Sequence, residues 1–224
     1  MTTPARPTAQ TRPHLHRDLR QLRQMALGFG IGSMLFGSGA ALAMAGGSSR
    51  IANYLFAIGA VFFTSAAFVQ LLTAVMHFPR GRRTWRRAVV DPDLVSAAIQ
   101  LVGTLYFNIM TVRAVVLPPT ADAYAQVWQP DVLGSACFLI SSWIAWHPIV
   151  RARRHDLIAE RSHVILWANM AGSVFFAISA WGAKLVAPDT LQNPLWSNMG
   201  TLLGAIGFLI ASVLTWPRSE ASYA

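Results

Sequence analysis

The chain has 224 residues, of which 54% are hydrophobic and only 12% are charged, and its formal net charge is +9. A soluble domain carries roughly 25% charged residues, so this composition excludes an ordinary water-soluble domain and, with the length, indicates one membrane domain. The single cysteine, Cys137, excludes an intrachain disulfide and a cysteine-based metal cluster.

The chain begins with a polar, basic tail at 1–24, which has five arginines and three prolines and is expected to be cytoplasmic. Six apolar runs follow, each near the length of about 20 residues that a helix needs to cross a hydrocarbon core of ~30 Å. Because a helix satisfies its own backbone in lipid, we predict an all-α integral membrane bundle of six transmembrane helices over 25–216, followed by a cytoplasmic tail at 217–224. The predicted helices are 25–46, 51–77, 94–116, 132–149, 163–185 and 197–216.

The basic residues predict the orientation of these helices. The first tail has five, the 78–93 loop five, the 150–162 loop four and the last tail one, which together are 15 of the 18. The positive-inside rule places these segments in the cytoplasm, so both termini are predicted to be cytoplasmic in a cell inner membrane. Orientation explains the net charge, and no nucleic acid partner is expected. The run 25–46 exceeds the 7–15 residues typical of a signal peptide, so we expect it to be retained.

A small residue followed one turn later by phenylalanine recurs in every predicted helix. Such a pair lets a neighbouring backbone approach and fills the space beside it. The spacing predicts three parallel two-helix hairpin repeats of about 70 residues, related by an axis near the membrane normal. The odd helices contain Gly32–Phe36, Gly103–Phe107 and Gly172–Phe176, and the even helices contain Gly59–Phe63, Gly134–Phe138 and Gly204–Phe208.

Four stretches in four of the helices carry a resemblance to a known family. They are 62–67 with Gln70, 100–108, 128–139 and 169–176. In these stretches the sequence resembles a family of uncharacterised bacterial membrane proteins, the YrhK-like domain. The resemblance implies no activity for this chain.

Four amide side chains lie inside the predicted helices. Gln70, Gln100 and Asn169 each lie six or seven residues from the cytoplasmic end of their helix, which places them at a similar depth of about 9–10 Å. Asn108 lies nearer the middle of its helix. These amides predict either a polar cluster that lines a cavity or separate interhelical hydrogen bonds. Convergence on a water-accessible pocket would favour ligand binding or transport, and separate pairing in a dry core would favour packing.

The other polar residues suggest roles at the membrane interface. The histidines lie beside arginines at loop ends or in the first tail, and Asp91 and Asp131 precede apolar runs, as helix N-caps do. No acidic or basic residue lies near the middle of a predicted helix, and no catalytic or metal-binding motif is present, so we predict a non-enzyme without a cofactor. An arginine cluster in the loop after the second helix is a candidate contact for anionic lipid headgroups. Its members are Arg80, Arg82, Arg83, Arg86 and Arg87.

These observations leave two functional classes open. The first is a non-enzymatic membrane protein with a structural, sensing or partner-binding role, and the alternative is a small transporter or channel with a site on the pseudo-threefold axis. A transporter predicts a wettable path along that axis, whereas a scaffold predicts a dry axis filled with phenylalanine. A homo-oligomer or an unidentified membrane partner is open in either class, because the glycine-rich faces could pack within one chain or between copies.

Overall fold

The computed structural model describes residues 12–78, 91–118, 120–152, 157–187 and 190–217. In this part of the chain the fold consists of six helices and one short β-hairpin. The helices are α1 (Arg12–Met44), α2 (Ser49–His77), α3 (Pro92–Val116), α4 (Ala121–Ala152), α5 (Leu157–Gly182) and α6 (Pro194–Thr215). Strands β1 (Leu185–Ala187) and β2 (Thr190–Leu191) pair antiparallel between α5 and α6.

Local sequence signals set several of the helix ends. The Asp91 carboxylate accepts a hydrogen bond from the Leu94 amide at 2.9 Å, which confirms the predicted N-cap of α3. Ser48 and Asn193 cap α2 and α6 in the same way. Helix α1 ends in a Schellman turn in which Gly46 has a φ of 71°, a conformation that favours glycine.

The helices form a closed ring. Within each hairpin the two helices pack along their length, α1 on α2, α3 on α4 and α5 on α6. The hairpins are joined by packing of α2 on α3 and α4 on α5, and the ring closes where α1 packs on α6. We call the end at which Arg17, Arg20, Arg23 and Arg161 lie the arginine-rich end.

Six phenylalanines, one from each helix, fill the centre of the ring. We call this set the phenylalanine layer, and it consists of Phe36, Phe63, Phe107, Phe138, Phe176 and Phe208. Each is at most 3% exposed. Neighbouring rings have centroid separations such as 4.9 Å between Phe107 and Phe138, the range in which aromatic pairs add about 0.5–1.5 kcal/mol each beyond burial. The axis is therefore dry at this level.

Glycines make room for these rings within each hairpin. A Cβ on Gly32 would lie 2.8 Å from the Phe63 ring, and a Cβ on Gly59 would lie 2.8 Å from the Phe36 ring. The same reciprocal contact joins α3 to α4 and α5 to α6, through Gly103 with Phe138, Gly134 with Phe107, Gly172 with Phe208 and Gly204 with Phe176. The small residue on one helix thus receives the phenylalanine of its partner.

The bundle is that of a membrane protein. Five helices are long and apolar enough to cross a bilayer, and many of their large apolar side chains point away from the ring. Among the described residues these spans are 17–44, 49–77, 92–116, 161–182 and 194–215. Helix α4 is the remaining member of the ring.

The helix bounds differ from the predicted ones, most of all at the starts of α1 and α4. The helix predicted over 163–185 spans Leu157–Gly182 instead and ends before β1. Helix α1 begins at Arg12 rather than at 25, and α4 begins at Ala121 rather than at 132. Side chains of the added α4 segment hold it against α5, because the Tyr124 hydroxyl donates to the Ala183 carbonyl and Trp128 Nε1 donates to the Ala180 carbonyl, both at 2.8 Å. The predicted N-cap at Asp131 is therefore wrong, since Asp131 lies inside a continuous helix.

Candidate functional site

A cavity of about 400 Å³ lies inside the ring, between the arginine-rich end and the phenylalanine layer. We call it the vestibule. All six helices contribute to its wall, so it lies on the axis of the ring. Its lining residues are Met25, Ala26 and Phe29 of α1; Gln70, Thr73, Ala74 and His77 of α2; Asp93, Ser96 and Gln100 of α3; Ser141, Ser142 and Ala145 of α4; Ile165, Leu166 and Asn169 of α5; and Phe208, Ala211, Ser212 and Thr215 of α6.

Helical periodicity brings these side chains to one surface. In α2 the lining residues Gln70, Thr73, Ala74 and His77 are spaced at three, four and seven residues, so they form one stripe. The same spacing places Asp93, Ser96 and Gln100 on one face of α3 and Ser141, Ser142 and Ala145 on one face of α4. On each of these helices the face that lines the vestibule carries polar side chains, and the opposite face is apolar.

Three of the four amides singled out in the sequence line the vestibule. Gln70, Gln100 and Asn169 come from three different helices and meet this one space. The carboxamides of Gln70 and Asn169 have no hydrogen-bond partner among the described residues, and both side chains are partly accessible. They are therefore free to hydrogen-bond a molecule that enters.

Gln100 is held in one orientation by its neighbour. The Ser141 hydroxyl donates to Gln100 Oε1 at 2.6 Å, and this oxygen is an acceptor only. The Gln100 NH₂ group is then the half of the amide left without a described partner, and it is a donor only. Gln100 is 6% exposed, so this donor is presented from a nearly buried side chain.

The vestibule has a polar mouth and an apolar floor. His77 and Asp93 line it and are both exposed, so it opens at the arginine-rich end. The His77 Nδ1–H donates to the Thr73 carbonyl at 2.8 Å, which turns Nε2 toward Asp18 at 3.5 Å. At the other extreme, Phe29 and Phe208 line the cavity, and the phenylalanine layer closes it.

Asn108, the fourth amide, lies elsewhere. Its NH₂ group lies within hydrogen-bonding distance of Thr64 Oγ1 at 2.5 Å, the Thr104 carbonyl at 2.8 Å and the Ala60 carbonyl at 3.3 Å. Two of these acceptors belong to α2, so the side chain joins α3 to α2 beside the phenylalanine layer. Asn108 is a packing residue in this arrangement.

We expect Asn108→Leu to lower the free energy of unfolding by about 1–2 kcal/mol, because the change removes the polar link between α2 and α3. Thermal unfolding of the full chain in detergent or nanodiscs checks this. Gln126→Leu, which makes the same amide-to-alkyl change at an exposed position, is the control. Equal stability of the two variants would contradict the role given to Asn108.

Several vestibule residues were missed in the sequence. Ser96, Ser141, Ser142 and Ser212 are small polar residues to which the sequence analysis assigns no role, although their helical spacing from the amides is a usable signal. The Ser212 hydroxyl is buried without a described partner, which is unusual for a polar group inside a protein. His77 was assigned to the interface alone, yet it also lines the mouth.

The remaining candidates fall in two groups. Arg80, Arg82, Arg83, Arg86 and Arg87 lie outside the described residues. Asp131, interpreted as a cap, is an acidic side chain inside α4 and is half-buried near the end of the bundle opposite the vestibule. Among the described residues, no three His, Cys, Asp or Glu side chains are grouped as metal ligands.

Comparisons of the chain with protein-family models, with curated proteins and with solved structures found no match. The described lining of the vestibule offers amide and hydroxyl groups, and such groups bind uncharged molecules by hydrogen bonding.

Proposed function

We propose that this protein is a non-enzymatic, ligand-binding membrane protein with a sensing role, which takes up a small uncharged polar molecule in the vestibule. The observation behind this proposal is that Gln70, Gln100 and Asn169, from three helices, line one cavity, and that the carboxamides of Gln70 and Asn169 and the NH₂ group of Gln100 have no described partner. A packing role alone would pair these amides with neighbouring helices, as happens at Asn108. A volume of about 400 Å³ lies within the range of small-molecule sites.

The same proposal includes the membrane topology. We infer six spans, with α4 as the sixth, in a cell inner membrane with the arginine-rich end and both termini in the cytoplasm. The distribution of basic residues supports this orientation. The vestibule then opens to the cytoplasm, and the arginines between α2 and α3 meet anionic lipid headgroups.

We also infer that the three hairpins are repeats of one unit. The reciprocal glycine–phenylalanine contact within each hairpin supports this. In a ring of three such units, a site on the axis is lined by residues from every unit, and the vestibule is lined in this way. The likeness to the YrhK-like domain is part of this proposal and adds no activity to it.

A transporter is the second candidate, because the vestibule lies on the ring axis. Transport needs a path past the phenylalanine layer and through the opposite end. There, Asn53 donates to the Ala114 carbonyl across α2 and α3, and Ser179 shares hydrogen bonds with Thr201 and Ser197 across α5 and α6. The phenylalanine layer across the axis favours a one-sided binding site over a conduit.

Cysteine labelling tests the vestibule directly. In a Cys137→Ala background, we expect Gln70→Cys and Asn169→Cys to react with a water-soluble methanethiosulfonate, because both side chains line a space open at one end. Ser135→Cys is the control, since Ser135 is 1% exposed and lies outside the vestibule. Labelling in vesicles of opposite orientation reports which side the vestibule faces.

Two results would count against the proposal. Vestibule cysteines as unreactive as Ser135→Cys in folded protein would remove the ligand-binding function. Reaction only from the periplasmic side would keep the binding site and reverse the topology.

A further inference from the structure

The vestibule side chains that have unpaired polar groups differ in the hydrogen-bond donors and acceptors that they offer to a ligand. Gln70 and Asn169 each offer a donor and an acceptor side by side, because neither carboxamide has a described partner. Gln100 offers chiefly its NH₂ donor, because the Ser141 hydroxyl occupies one of the two lone pairs of its oxygen while the NH₂ group has no described partner. A ligand that satisfies all three presents an acceptor to Gln100 and a donor–acceptor pair to the other two.

The scarcity of charged side chains in the described lining favours an uncharged ligand. Among the described residues, the charged or titratable side chains that line the vestibule are His77 and Asp93, and both lie at its exposed mouth. Deeper in, the described lining is made of amides, hydroxyls and apolar groups. An ion placed there would lose its hydration without a countercharge, which is costly, whereas a neutral dipole would not.

The apolar floor of the vestibule favours a ligand that also has an apolar part. Phe29 and Phe208 line the closed end. A ligand that fills the cavity therefore has an apolar or aromatic body directed toward the phenylalanine layer. Aromatic rings pack well against such a floor.

We infer that the vestibule selects small neutral amides: molecules in which a planar carboxamide, urea or lactam group is attached to a compact apolar or aromatic body. The ligand's carbonyl oxygen accepts from Gln100, and its N–H and C=O groups face Gln70 and Asn169. This inference rests on the proposed function and specifies the ligand of that same site.

Benzamide and benzoate are matched probes for this selectivity. They have the same ring and nearly the same shape, but benzoate is an anion without N–H donors. With the full chain in nanodiscs, we expect benzamide to raise the thermal unfolding temperature and to give saturation-transfer NMR signals, and benzoate at equal concentration to do neither. Benzoate binding as strong as benzamide would overturn the inference.

Variants tie the binding to the named amides. We expect Gln100→Leu and Asn169→Leu each to weaken benzamide binding on the order of tenfold, the loss of about one hydrogen bond. Gln100→Glu is a second variant, which keeps the Ser141 contact while removing the NH₂ donor. Gln126→Leu, outside the vestibule, is expected to bind like the unmodified chain. Unchanged binding in folded Gln100→Glu and Asn169→Leu would overturn the inference.

The cysteine assay distinguishes a failure of the amide selectivity from a failure of the vestibule itself. Ala74 lines the vestibule without being one of its amides, so Ala74→Cys keeps the proposed ligand contacts. If Ala74→Cys reacts with the water-soluble reagent but benzamide neither binds nor slows this reaction, the amide selectivity is wrong and the vestibule stands. If Ala74→Cys is unreactive in the folded protein, the vestibule itself is wrong. Protection of Ala74→Cys by benzamide, and not by benzoate, supports both.

Discussion

Gly200→Ala is expected to lower the free energy of unfolding by about 3 kcal/mol, the upper part of the range for overpacked interiors. A Cβ at this position would lie 2.7 Å from the Phe175 carbonyl oxygen and 2.7 Å from the Ser179 nitrogen. Both are backbone atoms of α5, so the clash can be relieved only by moving the helix. Such a shift would also disturb the hydrogen bond from Ser179 to the Ser197 carbonyl.

Gly37→Ala is the matched control for this prediction. A Cβ at Gly37 would meet Ala205 at 3.7 Å and Leu202 at 3.8 Å, which are ordinary contact distances. Because alanine favours a helix interior over glycine by up to about 1 kcal/mol, this variant is expected to be as stable as the unmodified chain or slightly more stable. Thermal unfolding of the two variants in one detergent measures the difference. A Gly200→Ala protein as stable as Gly37→Ala would mean that α5 and α6 are not in close contact.

The helix faces that meet within each hairpin could be predicted because they depend on local chemistry. A glycine and a phenylalanine four residues apart lie on one helix face, so a pattern of such pairs specifies which faces meet. The sequence could not specify how the pairs interlock, with Gly32 under Phe63 and Gly59 under Phe36, because that depends on the axial offset of two helices. This axial offset is determined by tertiary packing.

The start of α4 could not be predicted from local signals. Pro130 and Asp131 together are typical of a helix beginning, since an interior proline removes a backbone hydrogen bond. The helix nevertheless continues through them to Ala121. Hydrogen bonds from Tyr124 to the carbonyl of Ala183, just after α5, and from Trp128 to a carbonyl of α5 hold the added segment, and these partners are more than fifty residues away in the chain.

The depth of the vestibule amides could be predicted from the sequence, but the direction of their side chains could not. Counting residues from the helix ends placed Gln70, Gln100 and Asn169 at one depth, because the rise of a helix is constant. Which face each amide turns to the axis depends on the rotation of its helix in the ring. Asn108 has the same chemistry but lies about 12 Å further along α3 than Gln100, and its side chain is directed toward α2.

Phe138→Ala is expected to open the phenylalanine layer and to cost about 3–5 kcal/mol, as large-to-small changes in a core do. Phe138 is 1% exposed and contacts rings on both sides, with centroid distances of 4.9 Å to Phe107 and 5.5 Å to Phe208. Phe68→Ala, at a position that is 53% exposed on the outer surface, is the control and should cost about 0.5 kcal/mol.

The same variant tests whether the layer is the barrier that makes the vestibule one-sided. Ser135 lies one helical turn beyond Phe138 from the vestibule, and Ser135→Cys alone is expected to be protected from a water-soluble thiol reagent. With Phe138→Ala added, the space left by the ring connects this position to the vestibule, and we expect labelling to appear. Continued protection in folded double-variant protein would show that other contacts close the axis. Labelling of Ser135→Cys with Phe138 intact would instead mean that the layer opens by itself, which is the behaviour that a transporter requires.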